Sequence, residues 1–169
     1  MQELLAAYPG AQRALFRNFH IGGCASCGFQ PTEKLSEVCA RNDGLAIDDV
    51  LEKIRESHAQ DEKVFLSPTE AQAMRGTPGV RFLDIRTREE YEAVKIDGAD
   101  LFSQDLVQKL MAECPKDALI IVYDHTGARS LDAAAYFSGH GFQNVRALRG
   151  GIDAWSQECD PSLPRYSVE

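Results

Sequence analysis

Long hydrophobic runs are missing from this chain. The longest, Ala118 to Tyr123, falls far below the roughly 18–20 apolar residues that span a bilayer, which excludes a transmembrane helix and predicts a soluble protein without a membrane partner. Basic charge is also scarce. Eighteen Lys plus Arg stand against 26 Asp plus Glu, for a net charge of −8, and without a basic stripe the chain is not expected to bind nucleic acid. The opening Met1-Gln2-Glu3 lacks the basic stretch that starts a secretory signal, so the expected location is cytoplasmic. Low-complexity tracts and internal repeats are absent. What is present is ordinary globular composition, 44% hydrophobic and 26% charged over 169 residues, enough for a core and, by length, for two short modules. Five cysteines, Cys24, Cys27, Cys39, Cys114 and Cys159, form an odd set. In a reducing compartment that points to redox chemistry or metal binding rather than structural disulfides.

Apolar residues fall at helical spacing in the first third: Leu4, Leu5 and Tyr8, then Leu15, Phe16 and Phe19, then Leu35 and Val38, then Ile47, Val50, Leu51 and Ile54. Four helices are predicted. Pro9 separates the first two, Gly22-Gly23 stops the second, Thr32 caps the third, and Asp43-Gly44 closes it before a fourth through Asp48 to Glu56. The polar run 57–63 reads as a linker or frayed helix end, dividing the chain into a helical domain over 1–56 and a second domain over 64–169. There, short β-rich runs alternate with helices: Val64-Phe65-Leu66, Val80 to Ile85, Leu101-Phe102, Leu119 to Tyr123 and Val145-Arg146-Ala147. This pattern predicts an α/β fold, a mostly parallel sheet flanked by helices and preceded by a small all-α module. Ser67-Pro68-Thr69-Glu70 and Thr87-Arg88-Glu89-Glu90 are capping boxes that start two of its helices.

In an open parallel sheet, ligands gather beyond the carboxyl ends of the strands. Asp124-His125-Thr126-Gly127-Ala128-Arg129 follows the most apolar strand and leads into a helix over Ser130 to Ser138. Its backbone N–H groups and that helix start can converge into an anion cradle. Val122 to Ser130 resembles the active-site loop of rhodanese (sulfurtransferase) domains. Leu83-Asp84-Ile85-Arg86-Thr87-Arg88-Glu89-Glu90-Tyr91, Ile96-Asp97-Gly98-Ala99 and Leu148-Arg149-Gly150-Gly151-Ile152-Asp153-Ala154-Trp155 resemble further signatures of that family, in order, over about residues 64–160. The resemblance implies a rhodanese fold. It also implies a cysteine at the first loop position, whose thiolate attacks a sulfane sulfur to form a persulfide. This chain has Asp124. A carboxylate cannot hold a persulfide, so classical thiosulfate transfer is expected to be lost here; the Asp124 side chain instead places its own charge in or near the cradle, which it can occupy. Cysteine phosphatase loops look similar but need the same missing cysteine, and an Asp nucleophile for phosphoryl transfer lacks an evident metal-binding carboxylate partner. His125 reads as a solvent-exposed loop histidine, and His140 as a charge at a helix C-terminus. Arg129 is expected to close the loop by pairing with Asp84 or Asp124.

Cys24-Ala25-Ser26-Cys27 sits between glycines beyond a helix end. With Tyr8-Pro9 before it and Thr32 to Val38 after it, the segment is similar to a small helical redox-disulfide domain of unknown function found near hybrid-cluster proteins. Three readings stay open. Cys24 and Cys27 can cycle between dithiol and disulfide or carry a persulfide. His20, Cys24, Cys27 and Cys39 can instead supply four ligands to zinc or an iron–sulfur cluster, although no cofactor is favoured. Or the cysteines do no chemistry, which is the favoured reading for Cys39 as a buried small hydrophobe; Cys114 and Cys159 read as bystanders. The expected function is a rhodanese-like protein of sulfur or redox metabolism, with Cys24 and Cys27 taking over thiol chemistry and a sulfane-sulfur donor or a protein thiol as partner. The alternative is a non-enzymatic sensor with a metal site in the helical module and the rhodanese fold as interaction domain.

Overall fold

The computed structural model describes residues 1–22 and 28–165, in two compact units that meet between Lys63 and Val64. The first is helical: α1 (Gln2–Ala7), α2 (Ala11–Phe19), α3 (Leu35–Arg41) and α4 (Ile47–Val64). Its core gathers Ala11, Ala14, Leu15, Ile21, Val38, Cys39, Val50 and Ile54, as the helical spacing of these residues requires.

Three local expectations are corrected. Residues 57–63 are the last turns of α4, so of the two readings the linker falls and the helix end stands. They contain neither Pro nor Gly, and the helix is braced from outside by the Arg13–Asp61 ion pair at 2.7 Å and by the edge of Tyr8 against His58 at 5.2 Å. Helix α2 ends before the glycines, because His20 itself takes the left-handed conformation (φ 57°) and its N–H reaches back to Phe16. Helix α3 starts after Lys34, whose N–H donates to the Glu37 carboxylate at 2.8 Å, so Thr32 lies in the preceding turn.

The second unit holds five parallel strands, β1 (Phe65–Leu66), β2 (Val80–Asp84), β3 (Asp100–Leu101), β4 (Leu119–Tyr123) and β5 (Asn144–Leu148), in the order β1-β5-β4-β2-β3. The most apolar strand, β4, lies at the centre, where both faces are covered. Alternate residues of β4 feed opposite cores. Ile120 and Val122 pack with Val107 and Leu110 of α7 (Gln104–Glu113) and with Leu131, Ala134 and Phe137 of α8 (Ser130–Gly139). Ile121 and Tyr123 pack with Ala71 of α5 (Pro68–Met74) and with Ile152 and Trp155 of α9 (Gly151–Glu158). Both capping boxes form: Ser67 Oγ accepts the Glu70 N–H at the start of α5, and Thr87 Oγ1 accepts the Glu90 N–H at the start of α6 (Arg88–Ala93). Among the described residues no helix is long and apolar enough to cross a membrane.

Candidate functional site

The centre of the sheet places Asp124 at the carboxyl end of β4, directly before α8. The loop folds back over its own first side chain. Asp124 Oδ1 accepts the Gly127 N–H at 2.6 Å and the Ser130 hydroxyl at 3.3 Å, while Oδ2 accepts the Arg129 N–H at 2.8 Å. Ser130 also lies 3.0 Å from the Gly127 carbonyl. Asp124 is 4% exposed, so its carboxylate is met by oriented donors rather than by water. The expected cradle exists, and its occupant is the chain's own carboxylate.

A second segment supports this loop from behind. The Ile152 N–H donates to the Asp124 carbonyl at 3.0 Å and the Asp153 N–H to the His125 carbonyl at 3.1 Å. Such close approach of two backbones demands glycine. A Cβ on Gly151, whose φ is +58°, would stand 2.4 Å from the Asp124 carbonyl oxygen and 2.5 Å from that of His125. A Cβ on Gly127, whose φ is +87°, would likewise stand 2.9 Å from the Gly150 nitrogen. Gly151→Ala is therefore expected to cost about 2–3 kcal/mol through left-handed strain and overpacking. Urea unfolding followed by Trp155 fluorescence checks it, and a loss below about 0.5 kcal/mol, the range of ordinary surface substitutions, would mean that the loop backbone yields. The Gly150-Gly151 pair was recognised in the sequence only as part of a family signature; its role as backing for the loop depends on long-range contact that local patterns do not encode.

Arg129 departs from expectation. Its backbone N–H, not its guanidinium, serves Asp124, and the side chain is exposed. Asp84 is committed elsewhere: its carboxylate takes Arg86 in a two-pronged pair, Nε to Oδ1 at 2.9 Å and Nη2 to Oδ2 at 2.5 Å, both side chains being buried. Arg86 lies two residues from Asp84 and satisfies it before Arg129 can compete. The Tyr123 ring completes this buried group, with the Arg86 guanidinium 5.7 Å from its centroid. Burial, with the Asp84 charge adding to it, pushes the Tyr123 phenol well above its usual range, which keeps it protonated.

Thr126 and Ala128 are exposed, whereas His125, expected to be solvent-exposed, is half-buried with its Nδ1 shielded from solvent. His140 forms the C-cap of α8, with Nδ1 2.8 Å from the Tyr136 carbonyl. On α9, Arg165 holds the Asp153 carboxyl below the usual carboxylate range through contacts at 2.8 and 3.1 Å. In the helical unit Cys39 is 1% exposed within the core, and burial pushes its thiol up, away from reactivity. His20 is exposed at the end of α2. Cys24 and Cys27 lie outside the described residues, so neither the thiol pair nor the four-ligand set with His20 and Cys39 is placed. Cys114 and Cys159 are half-buried and unpaired as disulfides.

Comparison with known proteins agrees with this fold. The rhodanese-like domain family matches residues 67–158, more than half of the chain. A sulfurtransferase of Allochromatium vinosum is 37% identical over 91 residues, covering 54% of this chain and 85% of its own. The thiosulfate sulfurtransferase GlpE of Pseudomonas entomophila is 36% identical over 90 residues, covering 53% and 82%. The probable adenylyltransferase/sulfurtransferase MoeZ of Mycobacterium tuberculosis is 35% identical over 86 residues, and there the match spans only 22% of that protein's length. Among solved structures, the rhodanese-like domain of an Anabaena sp. protein superposes with a TM-score of 0.51 at 23% identity, covering 63% of this chain and 87% of that one, a likeness of fold. With that family's model matched over residues 67–158 and a five-stranded parallel sheet carrying them, the chain belongs to the rhodanese-like domain family.

Proposed function

We propose that this chain is a rhodanese-like protein of sulfur metabolism whose α/β unit does not carry sulfane sulfur at the loop after β4, and whose thiol chemistry resides in Cys24 and Cys27. One observation carries the reading. The donors that would steady a thiolate or persulfide at position 124 are already engaged by the Asp124 carboxylate, through the N–H groups of Gly127 and Arg129. A carboxylate oxygen is a poor nucleophile toward sulfane sulfur, and the O–S linked acyl adduct it would form is too readily hydrolysed to serve as a carrier. The sulfurtransferase relatives set the chemical context. Cys39, buried with its thiol pushed up, is unsuited to the task, whereas a Cys-x-x-Cys pair can hold a persulfide on one thiol and resolve it with the other.

The test is mass spectrometry of the reduced full chain, intact and by peptide, before and after exposure to thiosulfate or polysulfide. The expected result is one added sulfur atom on Cys24 or Cys27 and none elsewhere. Absence of any adduct, with both thiols demonstrably free, would refute the sulfur-carrying reading and leave a binding or sensing protein built on a rhodanese fold.

A further inference from the structure

A hollow of different chemistry lies beside the Asp124 loop. Ile85 and Phe102 follow the carboxyl ends of β2 and β3, where the Ile85 N–H donates to the Tyr123 carbonyl at 3.0 Å and the Phe102 N–H to the Asp84 carbonyl at 2.8 Å. With Arg129, Asp132, Ala133 and Tyr136 from α8 and its cap, they line a cavity of about 340 Å³. That volume falls within the range of roughly 300–1,000 Å³ typical of small-molecule sites.

Its aromatic walls are exposed yet fixed. Phe102 and Tyr136 are 38% and 45% exposed, among the few large apolar side chains this chain leaves in water. Both meet the buried Phe137 edge-on, Phe102 at 6.1 Å and 86° and Tyr136 at 5.5 Å and 83°. The Tyr136 ring is further flanked by His140 at 4.3 Å. Rings held this way need no ordering when a ligand arrives, so little of the binding free energy is lost to it.

Charge narrows the occupant. The donors of the loop cradle are engaged by Asp124, so an anionic head is turned away there and meets the exposed Arg129 guanidinium instead. That planar fork matches a carboxylate. Asp132, lining the same hollow, opposes a second negative charge. We infer that this hollow binds a small aromatic monoanion, its ring against Phe102 and Tyr136 and its carboxylate on Arg129. The site stands apart from the sulfur reading, since neither the ring contacts nor the ion pair involves a thiol.

Methyl and amide NMR titration of the full chain with 2-naphthoate tests it, with 2-(aminomethyl)naphthalene as the same ring carrying the opposite charge. Saturable shifts of the Ile85 and Ala133 methyls are expected with the acid. Arg129→Ala and Tyr136→Leu should each weaken binding at least about tenfold while the rest of the spectrum stays folded, and the amine should bind at least about tenfold more weakly. Equal binding of the amine, an unchanged affinity in Arg129→Ala, or no saturable shift in this region at millimolar acid would overturn the inference. So would shifts confined to the hollows around Pro78 to Arg81.

Discussion

Asp124→Cys is expected to create thiosulfate:cyanide transfer at the loop after β4, at least about a hundredfold above the wild-type background, the scale at which a covalent step assisted by preorganised donors acts. The argument starts from what the carboxylate occupies. Removing it releases the Gly127 and Arg129 N–H groups, which sit 2.6 and 2.8 Å from its oxygens, to stabilise a sulfur anion. A thiol at the amino end of α8 also feels the positive end of that helix, so its ionised form is favoured. The thiolate then attacks the outer sulfur of thiosulfate; an S–S bond forms, the sulfur–sulfur bond of thiosulfate breaks, and sulfite leaves with the electron pair. Cyanide removes the terminal sulfur as thiocyanate and regenerates the thiolate. Ser130, bonded to both Asp124 and the Gly127 carbonyl, remains in place to hold the loop. Thiocyanate formation measures the rate, and an added sulfur on the peptide containing position 124 identifies the carrier. Asp124→Ser is the control, since its hydroxyl fills similar space without sulfur. A folded Asp124→Cys chain with a free thiol, no adduct and no thiocyanate would show that the loop has lost more than its nucleophile.

The sequence carried the α/β unit well because its signals are local. Strand β4 spans Leu119–Tyr123, the limits the sequence predicts, since a short apolar run bounded by polar residues leaves little choice of boundary. The capping boxes at Ser67 and Thr87 formed as expected because the partners lie three residues apart. Errors arose where distant contacts decide. The polar stretch 57–63 lacks an apolar pattern, yet it is helical within α4, where Arg13 of α2 and Tyr8, at the end of α1, brace it. Strand β3 is Asp100–Leu101 rather than Leu101-Phe102. Its bounds are set by pairing with Leu83 and Asp84, which leaves Phe102 free to line the hollow.

The candidate site divides along the same line. That Asp124 could fill a cradle of backbone donors followed from its place between a strand end and a helix start. That Arg129 would pair with Asp84 or Asp124 did not hold, because a charged side chain takes the nearest buried partner that geometry offers, and Arg86 stands two residues from Asp84. No periodicity or motif reveals which of two arginines a carboxylate will choose. The packing of Gly151 against the Asp124 and His125 carbonyls is equally invisible until the strands are placed side by side.

Arg86→Ala is expected to destabilise the α/β unit by about 3–5 kcal/mol, the usual cost of removing one member of a buried ion pair. Asp84 is fully buried, and Arg86 supplies it with its own backbone N–H at 3.0 Å as well as the two side-chain contacts. The same guanidinium donates to the Val94 carbonyl at 2.7 Å, tying the chain after α6 to the end of β2. Two residues further on, the Ile96 N–H donates to the Tyr123 hydroxyl at 3.3 Å. One side chain thus joins β2 and the Val94–Ile96 segment beside the residue that precedes Asp124. Its removal strands a carboxylate and a carbonyl together. A single tryptophan, Trp155, lies in this unit against Phe82 at 5.8 Å, so its fluorescence in urea reports the unit without interference from the helical one. Arg86→Lys keeps the charge but not the fork, and should fall between the two. Replacing both partners, as in Asp84→Leu with Arg86→Met, should recover most of the loss, since it leaves no charge buried without a partner. A double variant no better than Arg86→Ala alone would place the penalty in the Val94 contact instead of the ion pair, and a single variant as stable as the wild type would mean that water reaches Asp84.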